Sequence, residues 1–224
     1  MSAENLQVTL PDGRVLDLPT ASSAADVART LGPGLAKAAL AAVVEGELVD
    51  LHRPLPGSCS VRILTERDPE ALPLLRHSAA HVLATAVRRL HPGAEIGFGP
   101  SIDEGFYYDF GVGEPFTPED LERFEAEMAA VIEADFPFER TQVDKAEARK
   151  LFQDDPLKLE RLEELGDDEV ITVYRDGPFL DLCRGPHVPS TGRLKHFRLL
   201  STAGAYWRGD ESRQMLQRIY GTAF

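Results

Sequence analysis

The strongest constraint on how this chain can fold is a spacing that recurs without its conformation recurring. His77 and His81 stand four apart in Arg76-His-Ser-Ala-Ala-His-Val82, and Cys183 and His187 stand four apart, far along the chain, in Cys183-Arg-Gly-Pro-His187. In a helix that spacing stacks two side chains on one face. Ala79, Val82, Leu83, Ala86 and Leu90 recur at helical intervals, so the first pair is expected on an amphipathic helix. The second pair cannot be helical, because Gly185 and Pro186 lie between its members. It reads as a turn leaving the strand-like run Phe179-Leu-Asp-Leu182. A helix and a strand end thus each present two titratable or soft groups, and the expectation is that they converge on one site.

The remaining pattern fits an α+β chain of two domains. Alternation over 6–10 and 15–18 around Pro11-Asp12-Gly13 predicts a hairpin. Ser22 or Ser23 caps a short helix that Gly32-Pro33-Gly34 stops. Strands follow at 41–44 and 48–51 around Glu45-Gly46, and at 60–64. Hairpin, helix and further short strands suggest a small β-grasp domain over 1–64, with Glu66-Arg-Asp-Pro69 as a polar linker. The second domain, 65–224, opens with the histidine helix, which Pro92-Gly93 ends. Strands are expected at 96–98 and 106–110, and a helix behind Thr117-Pro118-Glu119-Asp120, with Leu121, Phe124, Met128, Val131 and Ile132 as its apolar stripe. A strand at 138–143, helices from Asp144 and from Asp155-Pro156, and a hairpin over 170–182 come next. The chain closes with strands at 197–200, 205–207 and 215–220, with a helix over 210–217 as the alternative for its last part. Locally paired strands with helices between them imply a mostly antiparallel sheet flanked by helices.

Charge distribution qualifies an overall net charge of −13. Residues 114–169 hold 19 acidic and 7 basic groups, whereas residues 183–224 hold 7 basic and 2 acidic groups together with Phe197, Tyr206, Trp207 and Tyr220. A polyanion can bind that basic, aromatic end, and a solvated surface of uneven charge is the competing explanation. No apolar run approaches a membrane span, and the start of the chain lacks a secretory pattern, so no membrane partner is expected. Cys59 and Cys183 fall in different domains outside any disulfide-rich pattern, and a reducing cytoplasm is the expected location.

Three histidines and a thiol match a tetrahedral zinc site, or a catalytic one if water replaces a ligand. The zinc-protease form fails, because Ser78 stands where its general base would be. Without metal, a histidine can orient or deprotonate water, and the cysteine can act as thiolate or as a hydrogen-bonding wall. Asp181 lies two residues before Cys183, on the same side of a strand, where it can hold an α-ammonium group. Lys158 reads, on physics alone, as a surface lysine. The glycine pairs Gly97-Phe-Gly99 and Gly111-Val-Gly113 read as turns. No phosphate-binding loop, dinucleotide fingerprint or nucleophile elbow is present.

Longer motifs go further. His77-Ser-Ala-Ala-His81, Gly105-Phe-Tyr-Tyr-Asp109, Asp181-Leu-Cys-Arg-Gly-Pro-His187, Leu200-Ser-Thr-Ala-Gly-Ala-Tyr-Trp-Arg-Gly-Asp210 and Leu216-Gln-Arg-Ile-Tyr-Gly221 closely resemble the N-terminal part of bacterial threonyl-tRNA synthetases. The resemblance covers nearly the whole chain. It implies a ubiquitin-like TGS domain followed by an editing domain that hydrolyses the ester of mischarged Ser-tRNA(Thr), with a parent enzyme that is cytoplasmic and homodimeric. The aminoacylation core, with its ATP, magnesium and zinc, would follow Phe224, so the chain is expected to be a fragment acting beside the remaining domains. By resemblance, His77, His81, Cys183 and His187 line the hydrolytic pocket, Lys158 is the catalytic lysine, Asp181 anchors the seryl amino group, and Tyr107 or Tyr108 contacts the terminal adenosine. Editing is expected to need no metal; if zinc is bound, His77, His81, Cys183 and His187 are its ligands. Serine lacks one methyl of threonine, worth only about 1–3 kcal/mol to a binding pocket, so a second site that excludes the larger side chain has a physical purpose. Water activated by His77 and Lys158 is the expected nucleophile, and thiolate attack by Cys183 is the rival. The alternative function is a tRNA-binding module whose His/Cys site is structural.

Overall fold

Pro11-Asp12-Gly13 turns the chain because Gly13 takes φ +84 without cost and Asp12 accepts the Arg14 backbone N–H at 3.0 Å. The hairpin β1 (Asn5–Thr9) and β2 (Val15–Pro19) results, with Leu6 and Val8 buried on one face. The computed structural model describes residues 5–166 and 168–224, and the chain divides into two compact units. The first comprises Met1–Leu74 with Gly185–Pro189, and the second Leu75–Arg184 with Ser190–Phe224.

In the first unit, Asp26 accepts the backbone N–H of Ser23 at 2.8 Å and so starts α1 (Ala24–Leu31). The stop signal Gly32-Pro33-Gly34 does not leave a loop: it opens a second short helix, α2 (Pro33–Ala38). Proline at the first helical position lacks only an N–H that would have no helical partner, so it starts this helix. The strands β3 (Ala39–Val44), β4 (Glu47–Asp50) and β5 (Cys59–Thr65) complete a five-stranded sheet ordered β2-β1-β5-β3-β4. Its central β1–β5 pair is parallel and its other pairs are antiparallel. Ala24, Ala25, Val27 and Ala28 of α1 pack with Val8, Ala42 and Val61 of that sheet in one core, which is the β-grasp arrangement expected.

The second unit holds all but the first turn of α3 (Ala71–Leu90), which is apolar almost all round there: Ala79, Ala80, Val82, Leu83, Ala84, Ala86 and Val87 are all inaccessible to solvent. Helices of that kind are core elements rather than surface amphipaths. The strands β6 (Glu95–Ile96), β7 (Ser101–Ile102) and β8 (Gly105–Gly111) follow. The strand expected over 96–98 ends at Ile96. Beyond it the backbone still exchanges bonds with Asp109 (Gly97 N–H to Asp109 O at 2.8 Å, Asp109 N–H to Phe98 O at 2.9 Å) as an irregular segment. Thr117 and Asp120 cap α4 (Pro118–Glu133) reciprocally, and Phe124, Met128 and Val131 form its buried stripe.

Next come β9 (Phe138–Val143), α5 (Lys145–Leu151) capped by Asp144, α6 (Pro156–Glu164), β10 (Ile171–Asp176) and β11 (Phe179–Leu182). The order β11-β10-β9 forms an antiparallel three-stranded sheet. The end of the chain departs from expectation. Residues 197–206 form one long strand, β12 (Phe197–Tyr206), rather than two pieces, with a register shift between Leu199 and Ser201. The segment 210–217, for which a helix was the alternative, leads into β13 (Met215–Ala223), which pairs along its length with β12 and β8. This second sheet runs β12-β13-β8-β6, with β7 beside β8. Among the described residues no helix is long and apolar enough to cross a membrane.

Candidate active site

The second unit encloses a cavity of about 410 Å³ that gathers side chains from α3, the Phe98–Pro100 segment, β8, α6, β10 and the end of β11. His77, His81, Tyr107, Tyr108, Lys158, Asp181 and Cys183 all line it. The two expected stretches therefore do meet: His77 Nε2 lies 3.2 Å from Cys183 Sγ. Cys183 is held there by β10, since its N–H donates to Thr172 O at 3.2 Å and its own carbonyl accepts from Thr172 Oγ1. His187 lies in Gly185–Pro189, which belongs to the first unit. There it is buried, and its backbone N–H donates to Asp50 Oδ1 at 3.0 Å.

Lys158 corrects the surface reading made from residues alone. Its side chain is 2 % exposed, ion-paired with Asp181 Oδ1, and donates to Gly97 O at 2.7 Å and to Tyr108 Oη at 3.3 Å. An ammonium so deeply buried persists only with an anion and acceptors around it, and these residues supply both. Asp181 is equally buried; its Oδ2 accepts from Tyr108 Oη–H at 2.5 Å and lies 3.5 Å from His81 Nε2. Burial pushes the Asp181 carboxyl up, but Lys158, His81 and the Tyr108 hydroxyl outweigh it and hold it below the usual carboxylate range. Burial, reinforced by the Asp181 charge, pushes the Tyr108 phenol well above its ordinary value, so it remains a donor.

His81 is 2 % exposed, T-stacked on His77 at 5.1 Å, and surrounded by the rings of Tyr108, Phe138 and Phe179. Desolvation pushes its pKa down to about 3, against the opposing pull of Asp181, so the imidazole is neutral at physiological pH. Its place is among the fixed groups of the wall. Half-buried His77, beside the half-buried Cys183 thiol, is the more available partner for a water or substrate. The donor atoms of His77, His81 and Cys183 lie within 4.8 Å of one another, and such a His/Cys cluster could hold a zinc ion.

Several contributors escaped the sequence. Gly97-Phe-Gly99 is more than a turn: the Gly97 carbonyl fixes Lys158, and a Cβ on Gly99 would stand 2.0 Å from the Tyr108 ring. Only glycine allows Tyr108 to lie where its hydroxyl reaches Asp181. Asp155 reads as a helix cap but makes no side-chain cap bond; instead it accepts Ile96 N–H at 3.1 Å and Arg88 Nη2 at 2.5 Å. It thereby ties the start of the lysine helix to the segment whose carbonyl holds that lysine. The glycine pair was the only available signal, and it lacked a partner sequence to give it meaning.

Comparison with known proteins identifies the two domains of the chain. The TGS domain model matches residues 6–65. The model for the threonyl and alanyl tRNA synthetase second additional domain matches residues 171–220, which include Asp181, Cys183 and His187. The chain is 52% identical over 221 residues to the threonine–tRNA ligase of Geobacter sp. (strain M21), covering 98% of this chain and 35% of that protein. It is 52% identical over 222 residues to that of Pelobacter propionicus, with the same coverage. The corresponding protein of Enterococcus faecalis is 50% identical over 221 residues, 98% of this chain and 34% of the relative. The chain thus spans about a third of the length of the curated relatives it matches.

Proposed function

This chain belongs to the threonyl-tRNA synthetase family through its TGS and second additional domains, and we propose from that premise that its second unit is a proofreading site hydrolysing the ester of Ser-tRNA(Thr). The observation that carries the reading is the cavity in which His77, Lys158, Asp181 and Cys183 converge. An ester carbonyl seated there needs a water, a base for it, and donors for the developing oxyanion.

Asp181 anchors the seryl α-ammonium. Its Oδ1 is shared with Lys158, so substrate and lysine compete for one carboxylate. Lys158, held on the cavity wall by that carboxylate, positions or activates the attacking water together with His77. His77 orients the water, and Cys183 Sγ, held 3.2 Å from its Nε2, limits the space beside the serine side chain. Tyr108 keeps Asp181 oriented, and Tyr107, on the cavity wall, faces the terminal nucleoside. His187, four residues on from Cys183 in the same motif, is carried over from the family resemblance as a pocket-shaping residue and as the fourth ligand should zinc be held. A bound zinc ion would supply Lewis-acid polarisation of water or carbonyl; editing as proposed runs without it. The His/Cys cluster alone does not favour a purely structural role in a tRNA-binding module.

The test is deacylation of Ser-tRNA(Thr) by this chain at high protein concentration. Rapid loss of seryl ester that disappears in His77→Ala supports the reading. Binding of the tRNA with no hydrolysis by the unmodified chain overturns it. Activity lost to chelator and restored by zinc would place the metal in the mechanism.

A further inference from the structure

Beside the catalytic cavity lies a second hollow of about 370 Å³, lined by Phe98, Arg161, Glu164 and Arg208. Phe98 and Arg161 line both spaces, so the second continues the first. Its floor is aromatic: Phe98 stacks on Trp207 with centroids 5.2 Å apart and planes 7° apart. Arg208 is held above Trp207, its guanidinium 5.3 Å from the ring, in a left-handed conformation (φ +59) rare for a residue with a side chain. Glu164 bridges the two arginines, pairing with Arg161 Nη1 at 3.0 Å through one oxygen and with Arg208 Nη1 through the other. One anion shared by two guanidiniums is the arrangement a phosphodiester makes with the same groups.

We propose that Arg161 and Arg208 clamp a phosphodiester of the single-stranded RNA 3′ end whose esterified sugar occupies the cavity, and that Glu164 fills the phosphate's place in the free protein. The inference rests on the proofreading reading for its ligand. An arginine pair beside the cavity suits single-stranded RNA, whose backbone needs cations, and the Phe98–Trp207 stack beneath holds Arg208 in place by its ring contact. The carboxylate keeps the guanidiniums apart and correctly spaced until RNA displaces it. It also suppresses binding of nucleic acid that does not insert its end.

The sign of one effect separates this carboxylate from an ordinary surface ion pair. Binding of an RNA tetranucleotide with a free 3′ end is measured by fluorescence anisotropy at several salt concentrations, with hydrolysis of seryl-adenosine, which has no phosphodiester, measured in parallel. Glu164→Gln is expected to tighten oligonucleotide binding by about fivefold at low salt, because Arg161 loses its carboxylate and Arg208 keeps only Glu160, 3.3 Å from its Nε. Arg161→Gln and Arg208→Gln are each expected to weaken it, and replacing both is expected to flatten the salt dependence by about 0.7 in log–log slope, for the one phosphate charge they share. Seryl-adenosine hydrolysis should be the same in Glu164→Gln and Arg208→Gln, whose side chains line only the second hollow. Unchanged or weaker binding in Glu164→Gln, or arginine variants that bind normally, overturns the clamp. If the unmodified chain hydrolyses no seryl ester, the proofreading reading fails, while oligonucleotide binding still decides the clamp.

Discussion

The burial of His81 has a thermodynamic consequence that can be read without any substrate. Folded His81 stays neutral down to about pH 3, because desolvation opposes its charge. In the unfolded chain the imidazole takes up a proton near pH 6.5. Between these values the unfolded state binds more protons, so stability contributed by this residue is present above pH 6.5 and is lost as pH falls. Integrating the proton difference from pH 6.5 to pH 5 gives a loss of about 1.6 kcal/mol. The group is almost fully buried, so solvent screening takes little from that figure. Urea unfolding followed by Trp207, the single tryptophan, reports on the second unit alone. Asp176, whose carboxyl burial pushes well up, acts in the opposite direction, so the comparison is made against His81→Gln. The stability difference between the unmodified chain and the variant should shrink by about 1.6 kcal/mol from pH 6.5 to pH 5. A difference that stays constant to within about 0.3 kcal/mol across that range would show that His81 titrates normally, and the buried, neutral imidazole would be wrong.

The ion pair beneath it makes a second prediction. Asp181→Asn leaves the buried Lys158 ammonium without its anion and should destabilise the second unit by about 3–5 kcal/mol at neutral pH, with most of the loss recovered when Lys158→Met is added; a cost of the single variant below about 1 kcal/mol in the same urea titration would contradict the pairing. Gly99→Ala drives a methyl into the buried Tyr108 ring and should lower seryl-ester hydrolysis about tenfold to a hundredfold, measured by kcat on seryl-adenosine, while costing about 1–3 kcal/mol of stability in the urea titration; unchanged kcat would mean that the Tyr108 position does not matter.

Much of the fold was legible because its signals are local. Asp12-Gly13 and Glu45-Gly46 mark hairpin turns, and Ser23, Thr117 and Asp144 mark helix starts. Where a signal has two meanings, the sequence misled. Gly32-Pro33 stops one helix and starts another. Ser201-Thr-Ala-Gly204 lacks alternation, so a single long strand with an irregular register looked like two. The site was legible as paired histidine and cysteine spacing, and His77 does meet Cys183. Lys158 was not, since its burial depends on Asp181, Gly97 and Tyr108, which three other elements contribute. Charged side chains default to the surface until an anion and acceptors are known to enclose them.

The most direct measurement is a crystal structure of this chain soaked with a non-hydrolysable seryl-adenosine analogue. The account predicts the seryl group inside the cavity, its ammonium on Asp181, its carbonyl carbon facing a water between His77 and Lys158, and its side chain against Cys183. An analogue bound elsewhere on the molecule, or a seryl group turned away from Asp181 and His77, would contradict it.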